Sequence, residues 1–292
     1  MAAMPPPDAD GTSAGSPGGT KPPPVRRVRR THWHGNAAGK GTRCIPEETP
    51  VALTYNHSTH AVMLATPADL VDFGIGFSLA ESIVERADEI DEIEIVTVPQ
   101  GIEVRMTLGE ARLDALTRRQ RRLAGPSGCG LCGLDSLTDA VRPVPRVMSE
   151  AAFDAGSIGA AMALMPPAQR LNQLTRAVHA AAFWTPDRGL VALREDVGRH
   201  NALDKLTGAL VRMDVPVAAG LVLLSSRVSV EMVQKAATLG APVVVAVSAP
   251  TALAVRVAEE AGITLIGIAR QDGFEVFTHS QRIIPDRVQH VA

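Results

Sequence analysis

The sequence predicts an α/β protein, with a smaller α+β unit ahead of a larger layered domain. Three observations predict it. Near-continuous apolar runs such as Val243-Val244-Val245-Ala246-Val247 alternate with amphipathic helical stretches, the pattern of a parallel sheet covered on both faces. Segments between residues 44 and 116 alternate polar and apolar side chains, as half-buried strands do. The first twenty residues are dominated by Pro, Gly, Ser and Ala, a composition that buries too little apolar surface to fold.

Residues 1–42 therefore read as a disordered basic tail. Residues 1–43 hold seven Lys or Arg against two Asp in a chain of net charge −2, which leaves residues 44–292 at −7. The basic segment Arg26-Arg27-Val28-Arg29-Arg30 is confined to the tail, so the mildly acidic body is not expected to bind nucleic acid. No apolar h-region follows Met1 and no run of about 18 apolar residues occurs, so a cytoplasmic protein without a membrane span is expected.

Residues 43–116 form the small α+β unit. Pro50 to His57 and His60 to Leu64 predict a hairpin, and Thr66-Pro67-Ala68-Asp69 opens a helix that ends near Arg86. Ile90–Val98 and Ile102–Leu108 predict two further strands. Residues 117–150 read as a mobile linker, since Gly125-Pro126-Ser127-Gly128-Cys129-Gly130-Leu131-Cys132-Gly133 is too rich in Gly for regular structure.

Residues 151–284 carry the larger domain, and 285–292 a C-terminal tail. Its predicted order is helix Ala168–Arg176, strands His179–Trp184 and Leu190–Glu195, helix Arg199–Met213 and strand Gly220–Ser225. Helix Ser229–Leu239, strand Val243–Val247, helix Thr251–Ala261, strand Thr264–Ala269 and a short strand Phe274–His279 follow.

Cys44, Cys129 and Cys132 are too few for a disulfide framework, so the Cys129-x-x-Cys132 pair reads as redox, metal or persulfide chemistry. A thiolate is the nucleophile, and Arg118, Arg119, Arg121 and Arg122 supply positive charge that favours it. The neighbouring glycines leave the sulfur open to a partner or a bulky ligand. Zinc would need Cys44 and scattered histidines to complete four ligands, and a thioredoxin-like dithiol would sit where a strand enters a helix, so both alternatives lack their context.

A second concentration of chemistry runs from Leu193 to Lys205, where a strand end meets a helix and ligands of α/β sheets commonly bind. Its His200/Asp204 and Asn201/Lys205 spacings also suit ordinary surface pairs. The turns Ser225-Ser226-Arg227 and Ser248-Ala249-Pro250-Thr251 place hydroxyls and backbone N–H groups at helix starts, where they either grip phosphate or simply cap the helices. Neither has the spacing of a Walker loop or of the Gly-rich dinucleotide turn.

Taken together, Glu47-Glu48-Thr49-Pro50, Cys129 to Gly133, Arg194 to Lys205 and Ser248 to Thr251 closely resemble the formate dehydrogenase accessory sulfurtransferase (FdhD) family, in order from about Arg43 to Arg282. The resemblance implies a cytoplasmic protein, homodimeric, that takes sulfur from a cysteine desulfurase and passes it to the molybdenum bis(molybdopterin guanine dinucleotide) cofactor of formate dehydrogenase, held as a bound client. It places the persulfide on Cys129, with Cys132 assisting, and implies no structural metal. The guanine nucleotide portion is expected along Ile268-Ala269-Arg270-Gln271-Asp272-Gly273. The larger domain is expected to be a cytidine deaminase-like three-layer α/β fold without deaminase chemistry, since His179-Ala180-Ala181 lacks the Glu and no cysteine pair follows.

Two departures bear on ligand approach. Family members usually carry glycines where this chain has Thr175-Arg176-Ala177 and Ser225-Ser226-Arg227. The alternatives that remain are a cofactor chaperone without sulfur chemistry and a thiol-disulfide oxidoreductase.

Overall fold

The computed structural model describes residues 20–113 and 143–285. Cys129, Cys132 and the four arginines ahead of them lie outside the described residues.

The N-terminal unit is built on a four-stranded sheet. Strands β3 (Thr49–Tyr55), β4 (Ser58–Ala65), β5 (Ile90–Val98) and β6 (Gly101–Leu108) take the order β4-β3-β6-β5. Val51, Leu53 and Tyr55 of β3 and Ile102, Val104 and Met106 of β6 point to one face because side chains alternate along a strand. Helix α1 (Leu70–Ala80) covers that face with Phe73 and Phe77. It is shorter than the sequence predicts. Asp69 takes a left-handed backbone, φ 54°, and makes no side-chain cap, while Ser82, φ 54°, turns the chain out at the other end.

In the larger domain, β8 (His179–Thr185), β9 (Gly189–Asp196), β10 (Leu221–Leu224), β11 (Val243–Ala246), β12 (Thr264–Arg270) and β13 (Gly273–Val276) form one sheet, ordered β13-β12-β11-β10-β8-β9. The sheet is mixed, which corrects the parallel expectation. Only β10, β11 and β12 run parallel, and β8, β9 and β13 pair antiparallel. The connections explain it: helices α5 (Val230–Leu239) and α6 (Ala252–Ala261) cross over between the parallel strands, whereas short turns join β8 to β9 and β12 to β13.

Both faces of the sheet are covered. Val222, Leu224, Val244 and Leu265 pack under α5, α6 and α4 (Arg199–Arg212), while Leu221, Leu223, Val243 and Ile266 pack under α2 (Ala155–Ala168). Helix α2 was not legible as a helix: its run of small residues has no strong apolar stripe, and Pro166 and Pro167 lie in its last turn. Helix α3 (Arg170–Thr175) follows, starting two residues after the predicted Ala168. Short strands β7 (Phe153–Asp154) and β14 (Ile283–Ile284) pair in parallel and tie the C-terminal end to the start of α2.

A further correction concerns the tail. Val25–His34 (β1) and Ala37–Pro46 (β2) form a regular antiparallel ribbon closed by the Gly35-Asn36 turn, with Gly35 at φ 57°. Its strands lack the apolar alternation that marks a half-buried strand, so composition alone read it as disorder. No helix among the described residues is long and apolar enough to cross a membrane.

Candidate functional site at the strand ends

The carboxyl ends of β9, β10, β11 and β12 meet the start of β8 at one edge of the large sheet, because β8 runs antiparallel to β9 and β10, with His179 opposite Asp196 and Ala181 opposite Leu224. Helices α4, α5 and α6 all begin at this edge, and helix starts carry unpaired N–H groups and partial positive charge. His200 on α4 reaches Ser229 at the start of α5, Nε2 to Oγ 3.4 Å. Val228 bridges to Pro250 ahead of α6, and the Ile268 N–H donates to the Ser248 carbonyl at 3.4 Å. The edge is therefore one continuous shelf from His179 to Ile268.

Asp196 organises the shelf from below. Its carboxylate is fully buried, accepts from Gly198 N–H at 2.8 Å and Asn201 Nδ2 at 3.0 Å, and pairs with the fully buried Lys205 ammonium at 2.6 Å. It also accepts from the Thr66 backbone N–H at 2.9 Å, and Lys205 donates to the Thr66 carbonyl at 2.8 Å. Asn201 donates to the Leu64 carbonyl at 2.9 Å. Half of this motif thus clamps the chain between β4 and α1 onto the larger domain. The surface-pair expectation fails: Asp204 pairs instead with Lys235 on α5 at 2.8 and 3.0 Å, both buried.

The residues left for a ligand are Arg199 and His200. Arg199 Nε is buried without a hydrogen-bond partner, an orphaned donor at the first position of α4. Burial first, then the Arg199 and Lys235 cations, lower the His200 pKa to about 4, so this imidazole is neutral at pH 7. Burial and Arg199 likewise hold His179 below its ordinary value, against the opposing pull of Asp196. Burial works to raise Glu231, but the Ser229 hydroxyl and nearby Arg199 bring its carboxyl below the usual range. A donor-rich shelf with neutral imidazoles and one unpaired guanidinium nitrogen suits a phosphate-bearing ligand.

The two hydroxyl turns divide. Ser225 ties the sheet together, its Oγ accepting from Ala180 N–H at 2.8 Å while its own N–H donates to the Ala180 carbonyl at 3.0 Å. Thr251 caps α6, accepting from Ala254 N–H at 3.2 Å. Ser226 is buried, donates to the Arg227 carbonyl at 3.0 Å and does not need a positive φ, so no left-handed turn is lost with the glycine. Arg176, by contrast, does take a left-handed backbone, φ 59°, at the end of α3.

Of the residues expected to meet a guanine nucleotide, Ile268, Ala269 and Arg270 end β12, Gln271 and Asp272 form the turn, and Gly273 opens β13. Ile268 is left-handed at φ 52°, Ala269 is buried, and Arg270 to Gly273 are exposed. This segment lies beside Ser248 on the same shelf as Arg199. Among the described residues no group of three His, Cys, Asp or Glu could hold a metal ion.

A groove of about 760 Å³ runs along the seam between the N-terminal unit and helices α4 and α5, lined by Leu79, Val84, Val211 and Leu239. Pro143, where the described chain resumes after the cysteine segment, lies on its rim.

The FdhD/NarQ family model matches residues 46–284, which takes in the clamp, the shelf and the cysteine pair. The chain belongs to the FdhD/NarQ family. It is 52% identical over 260 residues to a "Sulfur carrier protein FdhD" of Agrobacterium fabrum, covering 89% of this chain and 96% of that one. It is 47% identical over 275 residues to a protein of the same description from Cupriavidus necator, covering 94% of each. The crystal structure of a putative formate dehydrogenase accessory protein from Desulfotalea psychrophila shares the fold, with a TM-score of 0.70 at 23% identity over 90% of this chain and all of that one. Sequence reading missed one feature of this site. Thr66 and Leu64, which carried no chemical signal, supply backbone groups to the Asp196 clamp.

Proposed function

We propose that this protein is a sulfur carrier for formate dehydrogenase that holds sulfur as a persulfide on Cys129 and hands it to a guanylated molybdenum cofactor lying on the strand-end shelf. One observation carries the reading: a single family match, residues 46–284, spans both the Cys129-x-x-Cys132 pair and the shelf, and the matched relatives are named sulfur carriers. The chemistry balances without an added oxidant. The Cys129 thiolate attacks the outer sulfur of a cysteine desulfurase persulfide and the donor's thiolate leaves. The outer, sulfane sulfur later passes to a reduced acceptor that supplies the electron pair of the new bond and is thereby oxidised by two electrons, with the Cys129 thiolate as leaving group. Cys132 assists.

The shelf's part is to hold the client. Arg199 Nε, the N-termini of α4 and α5 and the Ile268–Gly273 turn offer donors to the phosphates and base of a guanine nucleotide. The molybdenum belongs to that client and would be the acceptor of the delivered sulfur.

Incubation with a cysteine desulfurase and cysteine, followed by mass spectrometry, is expected to show one added sulfur on the peptide carrying Cys129 and none in Cys129→Ser. Full formate dehydrogenase activity with Cys129→Ser in cells lacking the native protein would favour a cofactor chaperone instead. A requirement for both cysteines in a disulfide exchange assay, without sulfur loading, would favour a thiol-disulfide oxidoreductase.

A further inference from the structure

The ribbon β1–β2 has no place in the shelf or in either core. Its two strands form a sheet of their own, ten residues each and about 34 Å long at 3.4 Å per residue, and neither outer edge pairs with another strand among the described residues. Fifteen of its twenty strand residues are exposed and none is buried, with Trp33 at 70%. A two-stranded ribbon without a buried face is marginal in water. A covering surface is what would hold it.

Charge says which surface. Residues 25–46 contain six Lys or Arg and no Asp or Glu; with the chain at −2, everything outside the ribbon sums to −8. The register puts Arg27, Arg29, Lys40 and Trp33 on one face, since Arg29 faces Thr42, Thr31 faces Lys40 and Trp33 faces Ala38. The root is anchored by the Arg26–Glu47 ion pair and by Arg43 Nη2 donating to the Thr175 carbonyl at 3.1 Å, just ahead of His179 and the shelf. The arm therefore leaves the body beside the candidate site.

We propose that this ribbon is a docking arm for an acidic protein surface, gripped by the Arg27/Arg29/Lys40 face with Trp33 covered. A nucleic acid fits less well, because the acidic remainder of a chain with pI about 6.5 repels a long polyanion where a compact acidic patch meets only the arm. That the partner is a donor or acceptor of sulfur rests on the reading above; the acidity of its surface does not.

The test uses the full chain, a fluorescein-labelled decapeptide of alternating Glu and Val, and a 20-base-pair duplex DNA as rival. Trp33 emission reports the arm directly, since the other tryptophan, Trp184, is buried. The peptide is expected to bind with a blue shift of Trp33, to weaken as salt rises, and to bind on the order of tenfold less tightly to Arg27→Glu/Arg29→Glu/Lys40→Glu. The neutral variant Arg27→Gln/Arg29→Gln/Lys40→Gln should fall between, which separates charge from damage to the ribbon. Unchanged peptide affinity in the reversed variant, or tighter binding of the duplex than of the peptide, overturns the proposal. Cys129→Ser is expected to bind the peptide like the parent, so a failure of the sulfur-carrier reading shows in formate dehydrogenase activity and leaves this measurement untouched.

Discussion

Gly76 of α1 and Gly208 of α4 sit at a helix crossing with no room for a side chain. A Cβ on Gly76 would stand 1.8 Å from the Asp204 carbonyl oxygen, and one on Gly208 would stand 2.0 Å from that of Asp72. The obstacle is backbone in both cases, so the helices themselves must separate. Gly208→Ala is expected to destabilise the protein by roughly 1–3 kcal/mol or more, read as a lower urea midpoint. Because Asp72 holds Arg194 and Arg212 across the same seam, at 2.8 and 2.6 Å, the two units should also loosen together in hydrogen exchange.

The Lys205–Asp196 pair gives a second expectation. Both groups are fully buried, and Asp196 orders the Gly198 turn that leads into Arg199 and His200. Lys205→Met leaves a carboxylate buried without its cation, a change that costs about 3–5 kcal/mol. Adding Asp196→Asn to Lys205→Met removes the stranded charge and is expected to restore part of the loss. Urea titration of the parent and the two variants measures it; equal stability for the single and double variants would show that Asp196 does not need Lys205.

The sequence showed most strands and helices of the larger domain to within a residue or two, because the central strands are apolar runs and each crossover helix has a striped face; the last strand, expected over Phe274–His279, instead ends three residues earlier at Val276. It missed α2, where small residues and paired prolines blur any stripe, and it missed the ribbon, whose strands bury nothing. Its view of the candidate site was uneven for a physical reason. The span Arg194 to Lys205 was visible as a concentration of charge, but which charges are spent holding Thr66 in place and which face a ligand depends on contacts some 130 residues apart in the chain.

Stability should carry a His200 signature in its pH dependence. Its folded pKa, about 4, lies below the ordinary 6.5, so between these values the unfolded chain binds the extra proton. The corresponding stability is full above about pH 6.5 and is lost as pH falls toward 4. Asp204, raised to about 6 chiefly by burial, works with the opposite sign over an overlapping window. The difference between parent and His200→Gln therefore isolates the histidine: between pH 7 and 5 the parent's urea midpoint is expected to fall more, or rise less, than the variant's.

Arg176 offers a stabilising substitution. It ends α3 in a left-handed backbone, φ 59°, that a residue with a Cβ adopts at a cost and glycine adopts freely. Its side chain is exposed, so little packing is lost. Arg176→Gly is expected to stabilise the protein by roughly 1 kcal/mol, seen as a higher melting temperature. Guanine-nucleotide affinity measured on the same variant would show whether the missing glycine there limits ligand approach.

Arg199 is the sharpest test of the shelf. Its Nε is buried at the start of α4 with no acceptor in reach, a state whose cost a bound phosphate oxygen would relieve. A charge-assisted hydrogen bond of this kind contributes about 1.5–3 kcal/mol, or roughly 10–100-fold in affinity. Arg199→Ala is accordingly expected to weaken guanosine diphosphate binding by that factor in calorimetry. Arg199→Lys should recover only part, because a lysine ammonium cannot reproduce the planar guanidinium donors. Removing Arg199 also removes the cation that helps keep His200 and His179 neutral, so both imidazole pKa values should rise in NMR titration of Arg199→Ala. If nucleotide affinity held while those two values moved, the guanidinium would be a tuner of the histidines and the phosphate would have to lie elsewhere on the shelf, against Ile268–Gly273.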